Sequence, residues 1–409
     1  MRHPISRTNQ SLLGLALSLF IPSTMVFHKY LGIAGVGAYI AVASLALFVG
    51  HRYLFKTFVS RVTEKGVLWL ALATFLVLSS TFLLVYPVAN SGFYGPGNDT
   101  DDALNIGVQQ LLAGHYPYSV ETYRDTPIGT LPGALLLASP FVLLGTSAYQ
   151  NLFWLFAFFL AMRSYLKDGR LVLLLLWGVI ALSPLVLLDL VTGDDKLANS
   201  IYILLFVMWM VSTVSQPGHS SWRKLSSAIL LGIGLSSRAN FLLLLPLILS
   251  ALFQSAGWRS ATKYIAVTLA TFCAVTVPFY LYDPQEFGPS IQAQHLHQLQ
   301  PVIPSTDIII PLGIVVLTLP TGVIALALSF QNMGRNVPVL FRNCAIVQAF
   351  PILCTIVLYS LLIVQRLDLM HAEYGEFFLF FGAAAFWAML FGVQDDLIED
   401  RRSHVTNRR

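Results

Sequence analysis

Apolar residues in this chain come neither in alternation nor as single helical stripes but in long runs, many long enough to cross a hydrocarbon core of about 30 Å as a helix of about 20 residues. The runs fall near 11–27, 31–48, 67–86, 147–163, 171–190, 197–214, 225–237, 240–253, 264–282, 307–329, 344–365 and 377–393, which predicts about twelve crossings. Two places require a choice. The apolar stretch Leu131 to Leu144 contains Pro132 and Pro140 and would reach only about 21 Å as a helix. It is read as an interfacial or re-entrant segment. The stretch 225–253 is read as two short helices meeting near Ser236, Ser237, Arg238, Ala239 and Asn240, since a single helix would reverse the loops that follow. The first run follows Arg2 and Arg7 and resembles a signal peptide, but no small-residue cleavage site follows and another run starts at Leu31. A retained signal-anchor helix opening a helical hairpin is expected.

Composition agrees with this pattern. Of 409 residues 56% are hydrophobic and only 11% charged, with a mean hydropathy of +0.71, against about 25% charged in ordinary soluble domains. The expected fold is an all-α polytopic membrane protein with no large soluble domain. Neither a repeat nor a low-complexity linker is visible, so three parts suffice: an N-terminal hairpin and basic loop (1–66), one membrane domain (67–393) and a short charged tail (394–409). Cys273, Cys344 and Cys354 lie inside apolar runs and provide no disulfide framework. The net charge of +4 is small and spread out, which argues against a nucleic-acid partner.

Charge also orients the chain. Threading the runs with the N-terminus inside places almost every Lys and Arg on one side, from Arg52, Lys56 and Arg61 to Arg401, Arg402, Arg408 and Arg409; only Lys29, Arg124, Lys196, Arg238 and Arg366 fall outside or at outer depth. That is the positive-inside pattern. Both termini are therefore expected in the cytoplasm of a plasma or inner membrane. Most acids face the other way, the exceptions being Glu64, Asp168, Asp395, Asp396, Glu399 and Asp400. Any chemistry is expected on the extracytoplasmic face.

The longest polar segment, about 87–146, is the first outer loop. Gly95, Pro96 and Gly97 mark a turn, and Leu104, Val108, Leu111 and Leu112 then form one apolar stripe opposite Asn105, Gln109 and Gln110. This predicts an amphipathic helix on the membrane surface, with Asp99 or Thr100 as N-cap, Gly114 near the C-cap, and Asp101 and Asp102 in the first turn. Capping acids and catalytic acids are both compatible with that placement. Asp101 is favoured over Asp102 as a base because its place at the helix start would point it toward the aqueous edge of a pocket.

Acids opening an interfacial helix, then Leu111, Leu112 and Gly114, then Pro117 and Tyr118, then Thr126 and Pro127 before a proline-interrupted apolar helix ending in Leu143, Leu144 and Gly145, together resemble the GT-C glycosyltransferases. That superfamily includes bacterial mannosyl- and aminoarabinosyltransferases. The likeness covers about residues 90–165 and is architectural elsewhere; the hairpin 11–48 precedes the expected first core helix, and the spacing from acid to Leu-Leu is one residue short of the commonest pattern. The resemblance implies a GT-C-like fold and transfer of a sugar from a polyprenyl-phosphate donor to a lipid or glycan acceptor. It implies a base among Asp101, Asp102 and Asp99, and no cofactor. The chemistry independently needs a carboxylate to take the acceptor proton and cations to stabilise the departing phosphate.

Arg238 is the first candidate for that phosphate, because an Arg at membrane depth costs at least about 2.5 kcal/mol unless paired; an ion pair with Asp189, Asp194 or Asp195 is its alternative. Lys196 and Arg124 are further donor-binding candidates. Asn98, Asn105, Tyr118, Asp194, Asp195, Asn240, His371, Glu373 and Tyr374 are expected to line the substrate pocket. Asp194 and Asp195 offer at most a weak divalent-cation signal, and His295 and His297 lack a third ligand. No metal site is expected. A secondary transporter or a flippase for lipid-linked glycans is the alternative function, since broken helices and intramembrane charges also mark transporters.

Overall fold

In the computed structural model, which describes residues 4–91, 93, 98–216, 218–289, 306–334 and 336–391, the chain is built of helices. The turn expected at 95–97, His295, His297 and the tail from 394 lie outside these residues. In chain order the helices are α1 (Pro4–Val49), α2 (Phe55–Arg61), α3 (Glu64–Ala89), α4 (Thr100–Leu112), α5 (Pro132–Leu143), α6 (Tyr149–Leu166), α7 (Gly169–Leu182) and α8 (Pro184–Thr192). They continue with α9 (Asp195–Ser215), α10 (Ser221–Leu235), α11 (Leu245–Ala256), α12 (Trp258–Tyr282), α13 (Thr306–Ser329), α14 (Val337–Tyr359) and α15 (Glu376–Leu390). Short 3-10 turns, Ala239–Leu244 and Met370–Gly375, lead into α11 and α15. Among the described residues six helical stretches are long and apolar enough to cross a membrane, or seven if the bent pair α7 and α8 is one span. The chain is a polytopic helical membrane protein. The other expected crossings fall on shorter helices such as α6 (18 residues), α10 (15 residues) and α15 (15 residues).

The first of those stretches is folded back on itself. Gly32 takes φ 64°, a left-handed conformation that only glycine adopts cheaply. Beyond it Tyr39 returns to stack on Phe27 at 4.3 Å and to meet Phe20 at 6.0 Å, although a straight helix would hold residues 20 and 39 about 28 Å apart. The outgoing half runs antiparallel to α15, with Gly14 against Phe386 and Ser18 against Gly382.

This hairpin also repairs the backbone where α7 and α8 part at 81°. A break in a span frees backbone groups that lipid cannot bond. Tyr39 donates to Leu182 O (2.6 Å), while the Ser23 hydroxyl accepts from Leu185 N (3.1 Å) and bonds the Ser183 hydroxyl (2.9 Å). Pro184, with no N–H to lose, opens α8.

The amphipathic helix expected over the first outer loop is α4, but Leu104 and Val108 of its apolar stripe face protein rather than lipid, while Leu112 at its end stays exposed. Ala103, Leu104 and Val108 pack with Leu131, the N-cap of α5, and with Ala134, Leu135 and Ala138 of α5 in a second core. α5 in turn docks on the end of α10, where Gly133 N donates to Ser236 O (2.8 Å) and Leu131 N to Ser237 O (3.3 Å). Residues 236–238 separate α10 from the turn into α11, so the expected break in 225–253 is a docking point as well as a reversal.

That dock has no room for a side chain at Gly133, where a Cβ would lie 2.3 Å from Ile233 O and 2.6 Å from Ser236 O. Gly133→Ala is expected to lower stability by about 1–3 kcal/mol, the range for overpacking. Gly178→Ala, in the interior of α7 with open space around it, is the control and should be neutral or stabilising. Thermal unfolding in detergent measures both; equal midpoints for the two variants would refute the tight dock.

Candidate functional site

The starts of α4, α6, α9 and α15, and the link between α10 and α11, gather at one end of the bundle. At their centre is Asp101, only 2% exposed. It lies in the first turn of α4, where peptide dipoles favour a negative charge. Its Oδ2 accepts a 2.6 Å bond from the Tyr86 hydroxyl, which also contacts the Thr146 hydroxyl at 2.9 Å. No described donor reaches Oδ1. Behind the pair, Asn105 accepts from Ser147 N (2.7 Å), and the Ser147 hydroxyl donates to Asp101 O (3.1 Å), tying α4 to the start of α6. Burial pushes the Asp101 carboxyl up to about 7, against the pull of the Tyr86 bond.

Three acids of one turn therefore have three environments. Asp101 points into the protein, contrary to the aqueous-edge orientation expected from its place at the helix start. Asp102 is half-buried, its carboxyl raised by burial and then by the charge of Asp99. Asp99 occupies the N-cap position but makes no side-chain cap bond. Its carboxylate instead accepts from Thr122 (2.9 Å) and Thr126 (2.5 Å), closing the loop that follows α4.

Beside Asp101 runs the turn from α8 to α9. Gly193 (φ 79°) lies so near that a Cβ would come within 2.9 Å of Tyr86 and Ala148 and 3.1 Å of Asp101 Oδ2. The turn is held by Asn151, whose amide donates to Asp189 O (3.2 Å) and Asp194 O (2.9 Å). Asp194 caps α9, accepting from Lys196 N (3.0 Å), and pairs with the Lys196 ammonium at 2.6 Å; Asn98 donates to the same carboxylate. Burial alone would raise Asp194, yet Lys196 outweighs it and holds the carboxyl below the usual range. The ammonium also faces Glu373 at 3.9 Å and lies 5.5 Å from the centre of the Tyr374 ring. Arg238 places one terminal nitrogen 2.6 and 2.7 Å from the two oxygens of Asp195. Asp195 also accepts from Asn199 (3.0 Å), and Tyr202 donates to Asn199 (2.5 Å).

Asn98, Asp194, Lys196, Glu373 and Tyr374 are thus joined by direct contacts, the Asp195–Arg238 pair follows on the next residue, and Asp101 lies against Gly193 of the same turn. Other candidates sit apart from this group. Tyr118 is buried, donating to Thr130 O (2.9 Å) among the rings of Tyr116, Phe279 and Phe287. Asn240 bonds Gln348 through both its amide (2.6 Å) and its carbonyl (3.1 Å), joining the turn before α11 to α14. Arg124 is exposed on the loop closed by Asp99. His371 packs its ring 4.5 Å from that of Tyr359, at the edge of the cluster.

Sequence reasoning missed Tyr86, Asn151 and Glu376. A Tyr at the end of an apolar run reads as an interfacial anchor, and an acid opening an apolar helix reads as a dipole partner. Asp189 did carry a signal, being an acid inside an apolar run. Two apolar pockets lie away from Asp101: one of about 440 Å³ between both halves of α1, the end of α14 and Leu367 and Leu369, and one of about 380 Å³ between the end of α14 and Gln365, Arg366 and Leu367. Among the described residues no group of three or more His, Cys, Asp or Glu is placed to hold a metal ion. The chain matches no family model, no curated protein and no solved structure.

Chemically, the arrangement offers a buried carboxyl with one free oxygen and a value near neutrality, against a turn that leads into two cations balanced by acids. Its pH response has a definite sign. A carboxyl raised from 3.8 to about 7 on folding binds more protons in the native state between those limits, so its contribution is complete below about 4 and lost as pH rises through about 7. Asp101→Asn should flatten that part of the pH dependence of the unfolding midpoint. An unchanged pH profile would contradict the burial of an ionisable Asp101.

Proposed function

We propose that this chain is a GT-C-type glycosyltransferase that moves a sugar from a polyprenyl-phosphate donor to a lipid or glycan acceptor, with inversion, on the extracytoplasmic face. The observation that carries this reading is the free Oδ1 of a buried Asp101 set against the Gly193 turn, which leads into the paired Lys196. In the reaction Asp101 takes the proton of the acceptor hydroxyl, whose oxygen forms the new bond to the anomeric carbon. The bond from that carbon to the phosphate oxygen breaks, and polyprenyl phosphate leaves with the electron pair. Lys196 and Arg238 face the growing phosphate charge, and Asp102 remains the alternative base. The apolar cavities beside Leu367–Leu369 suit a carrier chain. A path of about twelve crossings with both termini cytoplasmic belongs to this reading, supported by the reversal at Gly32 and the antiparallel run of α1 and α15.

One observation favours a transporter or flippase instead: the 81° bend of α7 and α8, with Asp189 beyond it. Transfer assays with a polyprenyl-phosphate sugar separate the two readings. Asp101→Asn is expected to reduce transfer by about 10² to 10⁴ while donor binding persists. In the wild type the rate should rise with pH through about 7, the value at which Asp101 ionises, and Tyr86→Phe, which removes a bond favouring the carboxylate, should move that rise to higher pH. Wild-type transfer by Asp101→Asn, Asp102→Asn and Asp99→Asn alike would overturn the enzyme reading of this helix.

Sidedness is tested separately. A single cysteine at Glu121 should react with an impermeant thiol reagent in intact cells. Labelling only after permeabilisation would reverse the orientation and place the cluster in the cytoplasm.

A further inference from the structure

The site contains a pair of carboxyls that the proposed reaction does not use. Asp189, on α8 beyond the bend, is 3% exposed, and Glu376, at the start of α15, is 0% exposed. Among the described residues no N–H or O–H donor reaches Asp189 Oδ2 or either oxygen of Glu376. Each carboxyl instead has the other within hydrogen-bonding reach. Two carboxylates offer only acceptors, so a bond between them exists only when one proton lies on the pair. Without that proton two like charges would face each other away from water.

We propose that Asp189 and Glu376 share one proton and act as a carboxyl latch that fastens the 370–376 segment to the 189–196 turn, thereby positioning Lys196 against Glu373 and Tyr374. The placement of the pair explains why a latch is needed here. Asp189 begins the turn that carries Asp194 and Lys196, its carbonyl accepting from Gly193 N (3.0 Å), Asp194 N (3.1 Å) and Asn151. Glu376 directly follows the 3-10 turn that carries His371, Glu373 and Tyr374. Among the described residues the other polar links between these two segments are the 3.9 Å approach of Lys196 to Glu373 and the contact of Lys196 with the Tyr374 ring. The charged groups facing the pair are Asp194, Lys196 and Glu373. Lys196 is committed to Asp194 at 2.6 Å, which leaves the pair to be neutralised by its own proton. The latch does not depend on the chain being a transferase, and its readouts involve no transfer.

Infrared spectroscopy of the full-length protein in detergent tests it, with Asp101→Asn as background to remove the carboxyl of that residue. A deuterium-sensitive protonated-carboxyl band is expected at neutral pH, and both Glu376→Gln and Asp189→Asn should abolish it, because an amide then donates permanently to the remaining carboxylate. The unfolding midpoint should fall at alkaline pH in the background protein but not in Glu376→Gln, while Glu376→Ala should lower it at every pH. A band unchanged by both amide variants, or equal loss of stability in Glu376→Gln and Glu376→Ala, would overturn the latch. Should Glu376→Gln fail to fold, Asp189→Asn supplies the reciprocal donor, and loss of the same band with a flat alkaline profile there sustains the proposal.

Discussion

A cation held inside an apolar bundle organises one end of this protein. Lys196 is 6% exposed, and its ammonium meets Asp194 at 2.6 Å. Removing one partner of such a pair leaves a buried charge uncompensated, at a cost of about 3–5 kcal/mol. Both partners belong to a single turn, so keeping them paired requires that turn to be rigid. Asn151 from α6 fixes its carbonyls, Gly193 lets it pass close to Tyr86 and Ala148, and Asn98 from the segment before α4 completes the bonding of Asp194. Four stretches distant in sequence converge because one ion pair must be shielded and satisfied at once.

The same requirement explains what the sequence makes legible. Long apolar runs announce a helical membrane protein, and the break at 236–240 and the short proline-flanked helix after Leu131 are visible because proline, polar residues and length interrupt the pattern. The acids and bases of the cluster stand out because ionisable residues are rare in such a chain. Their partners do not. Whether Arg238 meets a ligand or Asp195 depends on how α9 approaches the end of α10, a tertiary relation with no periodic signature. Tyr86 looks like any interfacial tyrosine, and Tyr118 looks like a pocket residue although its ring fills a small aromatic core. The stripe on α4 reads as a membrane-facing surface; nothing local reveals that α5 covers Leu104 and Val108.

Chemical character at this site follows from environment more than from residue type. Asp99, Asp101 and Asp102 share one helical turn, yet two threonine hydroxyls satisfy Asp99 while Asp101 keeps a single phenol donor and a free oxygen. The difference originates in the packing of α4 on α5. With Leu104 and Val108 turned toward Leu135, Asp101 is directed toward α6 and the Gly193 turn, and Asp102 is left half-buried. Asp101 shares the face of Leu104 and Val108, three and seven residues on, whereas Asp102 shares that of Asn105 and Gln109.

In the proposed reaction, the pairing of both cations bears on catalysis. Lys196 and Arg238 are already matched by Asp194 and Asp195, so a donor phosphate would enter a field that its counter-acids have largely neutralised. Tight binding of the donor ground state would lower the free energy from which the reaction starts and so would not accelerate it. As the bond to the anomeric carbon breaks, negative charge gathers on the phosphate oxygens, and a fixed array of donors becomes more favourable to it without reorganising. Cations balanced by buried acids thus discriminate between donor and leaving group better than free ones would. Under the proposed transfer the buried acids would then assist the leaving group rather than compete for the substrate's place.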